Sequence, residues 1–241
     1  MDRYDRQRRL PGFGMDAQAA LRAATVLVVG AGGLGAPALA YLAGAGVGEL
    51  VIADDDVVAV HNLHRQVLYD TSDAGTPKAS RAAARLAALN PDVRTTPVTA
   101  RVTPETVDAL VGRATVVLDC TDDVPTRYLL NEACVRQGVP EVWATIGGWS
   151  GRCGVSWPGR GPCFACVFGP ALSPDAPAGG PPVFGPVCGA TGALQAAEAV
   201  KVLTGVGEPL VGRMACLDVR TGELVAIPVR RDPACPVCGA R

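Results

Sequence analysis

Four cysteines stand in two Cys-x-x-Cys pairs, Cys163/Cys166 and Cys235/Cys238, the second inside the knuckle Pro233-Ala234-Cys235-Pro236-Val237-Cys238-Gly239. Each pair offers two thiolates from one tight turn, and together they make a tetrahedral all-sulfur site suited to zinc. Four protein ligands leave no open position, so such a metal would be structural and not catalytic. The long stretch between the pairs makes the site a clip that closes a large loop, not a self-contained finger. Two Cys-x-x-Cys disulfides are the competing reading, and such bridges are strained and easily reduced in cytosol.

A second group of residues lies in the front half. Gly30-Ala31-Gly32-Gly33-Leu34-Gly35 follows a β-branched run and opens an Ala-rich segment. Gly30, Gly32 and Gly35 allow a tight turn and bring a phosphate close to the backbone N–H groups of a helix N-terminus. Asp54 stands at the end of the next apolar run, where a carboxylate can hold ribose hydroxyls. These features fit a dinucleotide site as well as a mononucleotide one, and the absence of a G-x-x-x-x-G-K-[ST] pattern excludes a P-loop ATPase. His61-Asn62-Leu63-His64-Arg65-Gln66 then places Asn62, Arg65 and Gln66 beside the ribose and phosphates. Lys78 starts a helix behind Gly75-Thr76-Pro77, and Asp122 ends a strand in Asp119-Cys120-Thr121-Asp122-Asp123. Two cations and a carboxylate converging on phosphates suit nucleotidyl transfer: Arg65 and Lys78 neutralise charge, and Asp122 holds Mg²⁺. Hydride transfer needs none of them.

The elements that must position these residues alternate from residue 25. Strands are predicted at 25–29, 50–53, 116–119 and 139–145, with an edge strand at 93–100 limited by Pro97. Helices are predicted from the Gly-rich turn to about residue 46 and over 78–89, 104–110 and 127–137. This alternation gives an α/β fold, a Rossmann-like doubly wound sheet that is mostly parallel. After residue 148 the pattern changes to antiparallel strands at 151–157, 213–219 and 223–229, the last two joined by the Arg220-Thr221-Gly222 turn. A helix is predicted at 191–204, after a Pro/Gly-dense crossover over 169–186. The expected organisation is one integrated domain: an N-terminal arm and helix (1–24), a nucleotide-binding part (25–150) and a zinc-stapled C-terminal lobe (151–241).

Composition excludes several classes. At 241 residues and 49% hydrophobic, the chain has ample material for a core, and its net charge of −1 provides no nucleic-acid footprint. No apolar run approaches the length of a bilayer span, and the charged N-terminus leads into no signal core, so a cytoplasmic location is expected. Nine cysteines then read as metal ligands and buried thiols.

Taken together, Arg3-Tyr4-Asp5-Arg6-Gln7, GAGGLG, Asp54-x-Asp56, NLHRQ, GTPK, DCTDD, GALQAAEAVKVL and the two CxxC pairs resemble, in this order, the MoeB/ThiF family, prokaryotic relatives of ubiquitin-activating enzymes. The resemblance covers essentially the whole chain and is nearest to the MoeB-like branch. It implies ATP-dependent adenylation of the C-terminal glycine of a small ubiquitin-like sulfur carrier ending in Gly-Gly, preparing a thiocarboxylate for molybdopterin, thiamine or related sulfur transfer. By motif, Gly33 would sit against the phosphates, Asp54 would hold the ribose, and Asn62, Arg65, Gln66 and Lys78 would contact ATP. Asp122 would bind Mg²⁺, and Arg6 would reach the active site of the other subunit of a homodimer. Two departures stand out. Asp123 occupies a position usually held by Asn, where it would either tighten Mg²⁺ binding or face solvent. Residues 167–187 contain no cysteine where persulfide- or thioester-forming relatives carry one. Cys188 is the one candidate reactive thiol nearby, placed just before the predicted helix, and its apolar neighbours favour burial. The chemistry is therefore expected to stop at the acyl-adenylate, with sulfur supplied by a separate donor protein. Trp149 reads equally as a lining of the carrier-tail channel and as core. Adenylation of another peptide C-terminus, a nicotinamide oxidoreductase and a non-catalytic binding module are the competing functions.

Overall fold

Thr25–Val29 (β1) is a β-branched run buried almost throughout, as a central strand of a parallel sheet must be. In the computed structural model, which describes residues 2–169 and 182–239, it lies near the middle of one eight-stranded sheet. The other strands are Glu49–Ala53 (β2), Arg94–Val98 (β3), Val116–Asp119 (β4), Glu141–Gly147 (β5), Ser150–Ser156 (β6), Arg213–Asp218 (β7) and Glu223–Pro228 (β8). Their order is β3-β2-β1-β4-β5-β6-β7-β8. The first five are parallel, and β5 to β8 pair antiparallel. β3 is the edge strand of the parallel half, which is where Pro97, lacking an N–H, can be accommodated. The mixed sheet expected from the change of pattern after residue 148 is thus observed as one continuous sheet.

Helices cover both faces. Asp5–Arg8 (α1), Gly14–Ala23 (α2), Gly35–Ala45 (α3), Lys78–Leu89 (α4), Val107–Val111 (α5), Val124–Gln137 (α6), Phe164–Phe168 (α7) and Gly185–Thr204 (α8) follow in chain order. Leu39, Leu42, Leu50, Ile52, Leu86 and Ala199 belong to the core on one face, and Leu27, Val117, Leu130 and Ala133 to the core on the other. Three helix starts differ from expectation, and the first is α5, which begins at residue 107 and not 104. α6 begins at residue 124 because Asp123 caps it and Pro125 fits its first turn. α8 begins at residue 185, because Pro186 opens the helix instead of ending the crossover. Cys188 therefore lies inside the first turn of α8 and not before it. Most of the crossover expected over 169–186 lies outside the described residues. Among the described residues no helix is long and apolar enough to cross a membrane.

One core position departs from good packing. Glu141, at the start of β5, is fully buried opposite Ser156 in register, and no ion pair engages its carboxylate among the described residues. Burial pushes the Glu141 carboxyl well above its usual range, and the negative charge of Asp119 adds to this. The folded chain keeps a proton that the unfolded chain releases, so stability falls as pH rises from the ordinary carboxylate range up to the folded pKa. Glu141→Leu is expected to remove that slope and to stabilise the fold at neutral pH by about 1–3 kcal/mol, measured by denaturant titration across pH.

Candidate active site

A cleft of about 550 Å³ opens at the carboxyl ends of β1, β2 and β4. The chain runs outward through β2 and β3 on one side of β1 and through β4 and β5 on the other, so the cleft sits where the strand order reverses. The turn between β1 and α3 forms its floor. Gly30 has φ +92, and a Cβ there would stand 2.6 Å from the Cys120 carbonyl oxygen. A Cβ on Gly35 would overlap the Gly30 carbonyl at 1.9 Å. Neither position admits a side chain, so the turn stays tight and the N-terminus of α3 faces the cleft.

Asp54 ends β2 and ties the turn to it. Its carboxylate accepts from the Ala31 N–H at 2.7 Å and the Asp56 N–H at 2.9 Å. Burial pushes its carboxyl up, against the pull of the Ala31 N–H and Lys78. Tyr69 braces the same turn from below, donating to the Ala31 carbonyl at 2.8 Å. Lys78 is buried at the start of α4, with its ammonium 2.8 Å from Asp56 and facing the cleft. Arg65 and Gln66 also line it. Arg65 donates to Asn62 Oδ1 at 3.0 Å and lies 2.9 Å from His64 Nε2. Asn62 is buried outside the lining, so it braces Arg65 rather than facing the cleft. Gln66 is almost fully buried, and its amide oxygen has no hydrogen-bond partner among the described residues. It sits against Gly32, with Nε2 3.3 Å from where a Cβ would stand, so a ribose hydroxyl is the kind of donor it lacks.

Three carboxylates follow β4, and the structure sorts them. Asp119 is fully buried and pairs with Arg127 Nη1 at 2.9 Å. Burial pushes its carboxyl up to about 6, and the Arg127 guanidinium opposes that shift. Arg127 also donates to the Ala144 carbonyl at 2.7 Å and to the Thr121 carbonyl, so it joins the middle of β5 to the turn that carries Asp122. Asp123 lines the cleft but does not face solvent freely, because both of its carboxylate oxygens are engaged. Its Oδ2 caps α6, accepting from the Thr126 N–H at 3.0 Å and the Thr126 hydroxyl at 2.6 Å, and its Oδ1 lies 3.2 Å from Arg101. Asp122 lines the cleft, and no hydrogen bond or ion pair engages its carboxylate among the described residues. It is the uncommitted anion of the three, and its hard oxygens suit Mg²⁺.

Arg6 lies on α1, exposed and away from the lining of this cleft. Cys188 is fully buried beneath the Gly-rich turn, its Sγ 3.0 Å from the point a Cβ on Gly33 would occupy. Burial pushes its thiol up while Arg65 pulls the other way, which describes a packed thiol and not a nucleophile. Trp149 is half exposed and packs on Phe184 with ring centroids 4.6 Å apart, whereas Trp143 is in the core.

The four sulfurs of Cys163, Cys166, Cys235 and Cys238 lie within 4.8 Å of one another. Neighbouring Sγ–Sγ separations are 3.8, 3.7 and 3.4 Å. A tetrahedron with zinc–sulfur bonds of about 2.3 Å has edges near ~3.8 Å, so the thiols fit zinc, and all four are free of disulfides. Asn131 Nδ2 donates to Cys163 Sγ at 3.7 Å and the Asp232 N–H to Cys166 Sγ at 3.5 Å, supports that suit thiolates. The cluster holds α7 and the C-terminal knuckle against Tyr128 and Val135 of α6.

Arg127, Asp119, Tyr69 and Asn131 were not among the residues expected from sequence. Only Arg127 had a local signal: a cation in the first turn of a helix opposes the helix dipole and calls for a carboxylate partner.

The profile of the ThiF family matches residues 4–237. The SAMP-activating enzyme E1 of Haloferax volcanii is 45% identical over 243 residues, covering 99% of this chain and 89% of that protein. The sulfur carrier protein adenylyltransferase of Thermus thermophilus is 44% identical over 248 residues, with 99% and 91% covered. The structure of the microcin C7 biosynthetic enzyme MccB in complex with N-formylated MccA superposes with a TM-score of 0.90 at 24% identity, covering 99% of this chain and 75% of that one, which shows a shared fold.

Proposed function

The chain belongs to the ThiF family, and from that premise we propose that it is an adenylyltransferase acting on the C-terminal carboxylate of a small ubiquitin-like sulfur carrier ending in Gly-Gly. The observation that carries this reading is the convergence of Arg65, Lys78 and the uncommitted Asp122 on the Gly-rich turn at the sheet's switch point. Full-length relatives at 44–45% identity named for carrier activation support it.

The carrier carboxylate attacks the α-phosphorus of ATP and pyrophosphate leaves, so an acyl-adenylate forms. A carboxylate is already a nucleophile, and the site needs no general base. The N–H groups at the start of α3 receive phosphate oxygens, with Gly33 closest to them. Asp54 and Gln66 hold the ribose. Arg65, steadied by Asn62, and Lys78 neutralise charge that moves onto the leaving pyrophosphate. Asp122 would hold Mg²⁺, which when bound would supply positive charge to offset that of the phosphates. Arg127 fixes the turn on which Asp122 sits. Arg6 completes the site of the partner subunit in a homodimer, which its exposure and distance from its own cleft support. Cys188 is packed away, and Cys120, the cysteine in the cleft lining, is buried with its thiol pushed up by that burial, so neither is set up to attack the adenylate and a separate donor protein supplies sulfur. Nine disulfide-free cysteines favour the reducing cytoplasm.

ATP–pyrophosphate exchange against a panel of Gly-Gly-ended small proteins tests this reading. Exchange that appears only with a carrier, and is lost when its last glycine is removed, is expected. Exchange with an unrelated peptide terminus and with no carrier of the panel would replace the substrate class.

A further inference from the structure

Arg101 follows β3, yet it reaches a carboxylate that follows β4, and β2 and β1 lie between those strands in the sheet. Its guanidinium stands 3.2 Å from Asp123 Oδ1 and 4.0 Å from Asp55 Oδ2, so it spans the open mouth of the cleft over two strand ends. The Arg101 side chain is 60% exposed and belongs to the cleft lining. Its anchor is different in kind. Asp123 is fixed by its second oxygen, which caps α6, so Oδ1 is a stationary post at the edge of the site.

If the phosphates lie at the Gly-rich turn with Arg65 and Lys78 and the ribose at Asp54 on the tip of β2, the lining next outward beyond that strand end, on the β3 side, is Ala100, Arg101 and Val102, faced by Val124, while Thr145, Ile146 and Val183 line the β5 side. The β3 side offers a base an apolar wall and one guanidinium plane. A guanidinium stacks on an aromatic face, and stacking leaves its edge N–H groups free to keep a carboxylate. We propose that Arg101, held by Asp123, is a strap that closes over the purine base of the bound nucleotide, with Asp123 as the positioning residue. The assignment rests on the nucleotidyl-transfer reading above. An ion pair this exposed is weak, so the strap opens readily for nucleotide entry and release. The side chain that covers the base thus belongs to binding and not to the chemical step.

The test uses the full chain, with ATP affinity by calorimetry and pyrophosphate-exchange kinetics side by side. Arg101→Ala is expected to raise the Kd and KM for ATP roughly five- to tenfold with little change in kcat. Asp123→Asn keeps the helix cap and loses the ion pair; a threefold rise of order RT is expected, with an unchanged melting temperature, and it should vanish in the Arg101→Ala background because the two act as one unit. Inhibition by inorganic tripolyphosphate, which has no base, should be the same in all three variants and the wild type. An Arg101→Ala enzyme with unaltered ATP affinity, a loss confined to kcat, or an Asp123→Asn penalty that persists without Arg101 would overturn the strap. A wild-type chain that binds ATP but exchanges no pyrophosphate would overturn the adenylation reading and leave the strap to the binding data. One that binds no nucleotide overturns both.

Discussion

Asp122→Asn is expected to lower carrier-dependent pyrophosphate exchange by roughly a thousandfold while leaving the melting temperature unchanged. The size follows from how the three acidic residues after β4 divide their work. Asp119 is buried against Arg127 and Asp123 caps α6, so neither can turn toward phosphate without undoing a packed interaction. Asp122 alone faces the cleft without a commitment, and an amide in its place provides no negative charge for Mg²⁺. Because the side chain is exposed and unpartnered, its removal costs the fold nothing measurable. Asp123→Asn, one residue on, should cost only a few fold, and Arg127→Lys should lower both rate and stability because it loosens the turn and orphans Asp119. Exchange kinetics and thermal melts on the three variants separate these outcomes; a near-normal rate in Asp122→Asn would remove the metal-holding role from that residue.

The second large effect concerns the tail. Changing Cys235 and Cys238 together to Ser is expected to abolish binding of one zinc equivalent per chain and to lower the melting temperature by about 10 °C or more. The cluster is the main anchor of the C-terminal knuckle, and it also seats α7. Phe164 and Phe168 of α7 stack edge-on against Trp143 in β5, with centroids 5.6 and 5.3 Å away, and Thr145 and Ile146 farther along that strand line the cleft. Without metal, nothing joins α7 to the C-terminal knuckle through the sulfurs, and the aromatic cluster that backs the cleft wall loses that support. Metal analysis by mass spectrometry and thermal melts check this. A wild-type protein with all four thiols free and no zinc, equally stable to chelator, would leave the sulfur cluster without the assigned purpose.

Much of this arrangement could be read from local chemistry. The β-branched run at 25–29 followed by closely spaced glycines admits little besides a strand and a phosphate-facing turn, and Pro97 marks an edge strand because it cannot donate to a ladder. The Cys-x-x-Cys pairs were legible for the same reason: both members of each pair come from one turn, and the tetrahedron needs only the two turns to meet. What escaped depends on distant partners. Gln195 of α8 donates to the Asp119 and Val142 carbonyls at 2.8 and 3.2 Å, and nothing near residue 195 shows which strand ends it will find. Asn62 looked like a nucleotide contact because it neighbours Arg65 in sequence, whereas in the fold its carbonyl oxygen is spent on that arginine. Asp123 was legible in principle: Asp, then Pro125 and Thr126, is a helix start, and a side chain used as a cap is not free for metal. Pro186 misled in the opposite direction, read as the end of a loop when it is the first turn of α8.

A cleft that joins AMP to a carrier's terminal carboxylate must produce the adduct, and the adduct can be observed by its mass. Incubating the chain with Mg·ATP and a Gly-Gly-ended ubiquitin-like carrier, then measuring the intact mass of the carrier, reads it without kinetics. The expected product is a carrier heavier by one adenylyl group, formed by the wild type, absent with Asp122→Asn, and convertible to a thiocarboxylate only when a separate sulfur donor is added. A carrier that stays unmodified while the chain binds ATP, or that becomes linked covalently to Cys188 instead, would contradict that expectation.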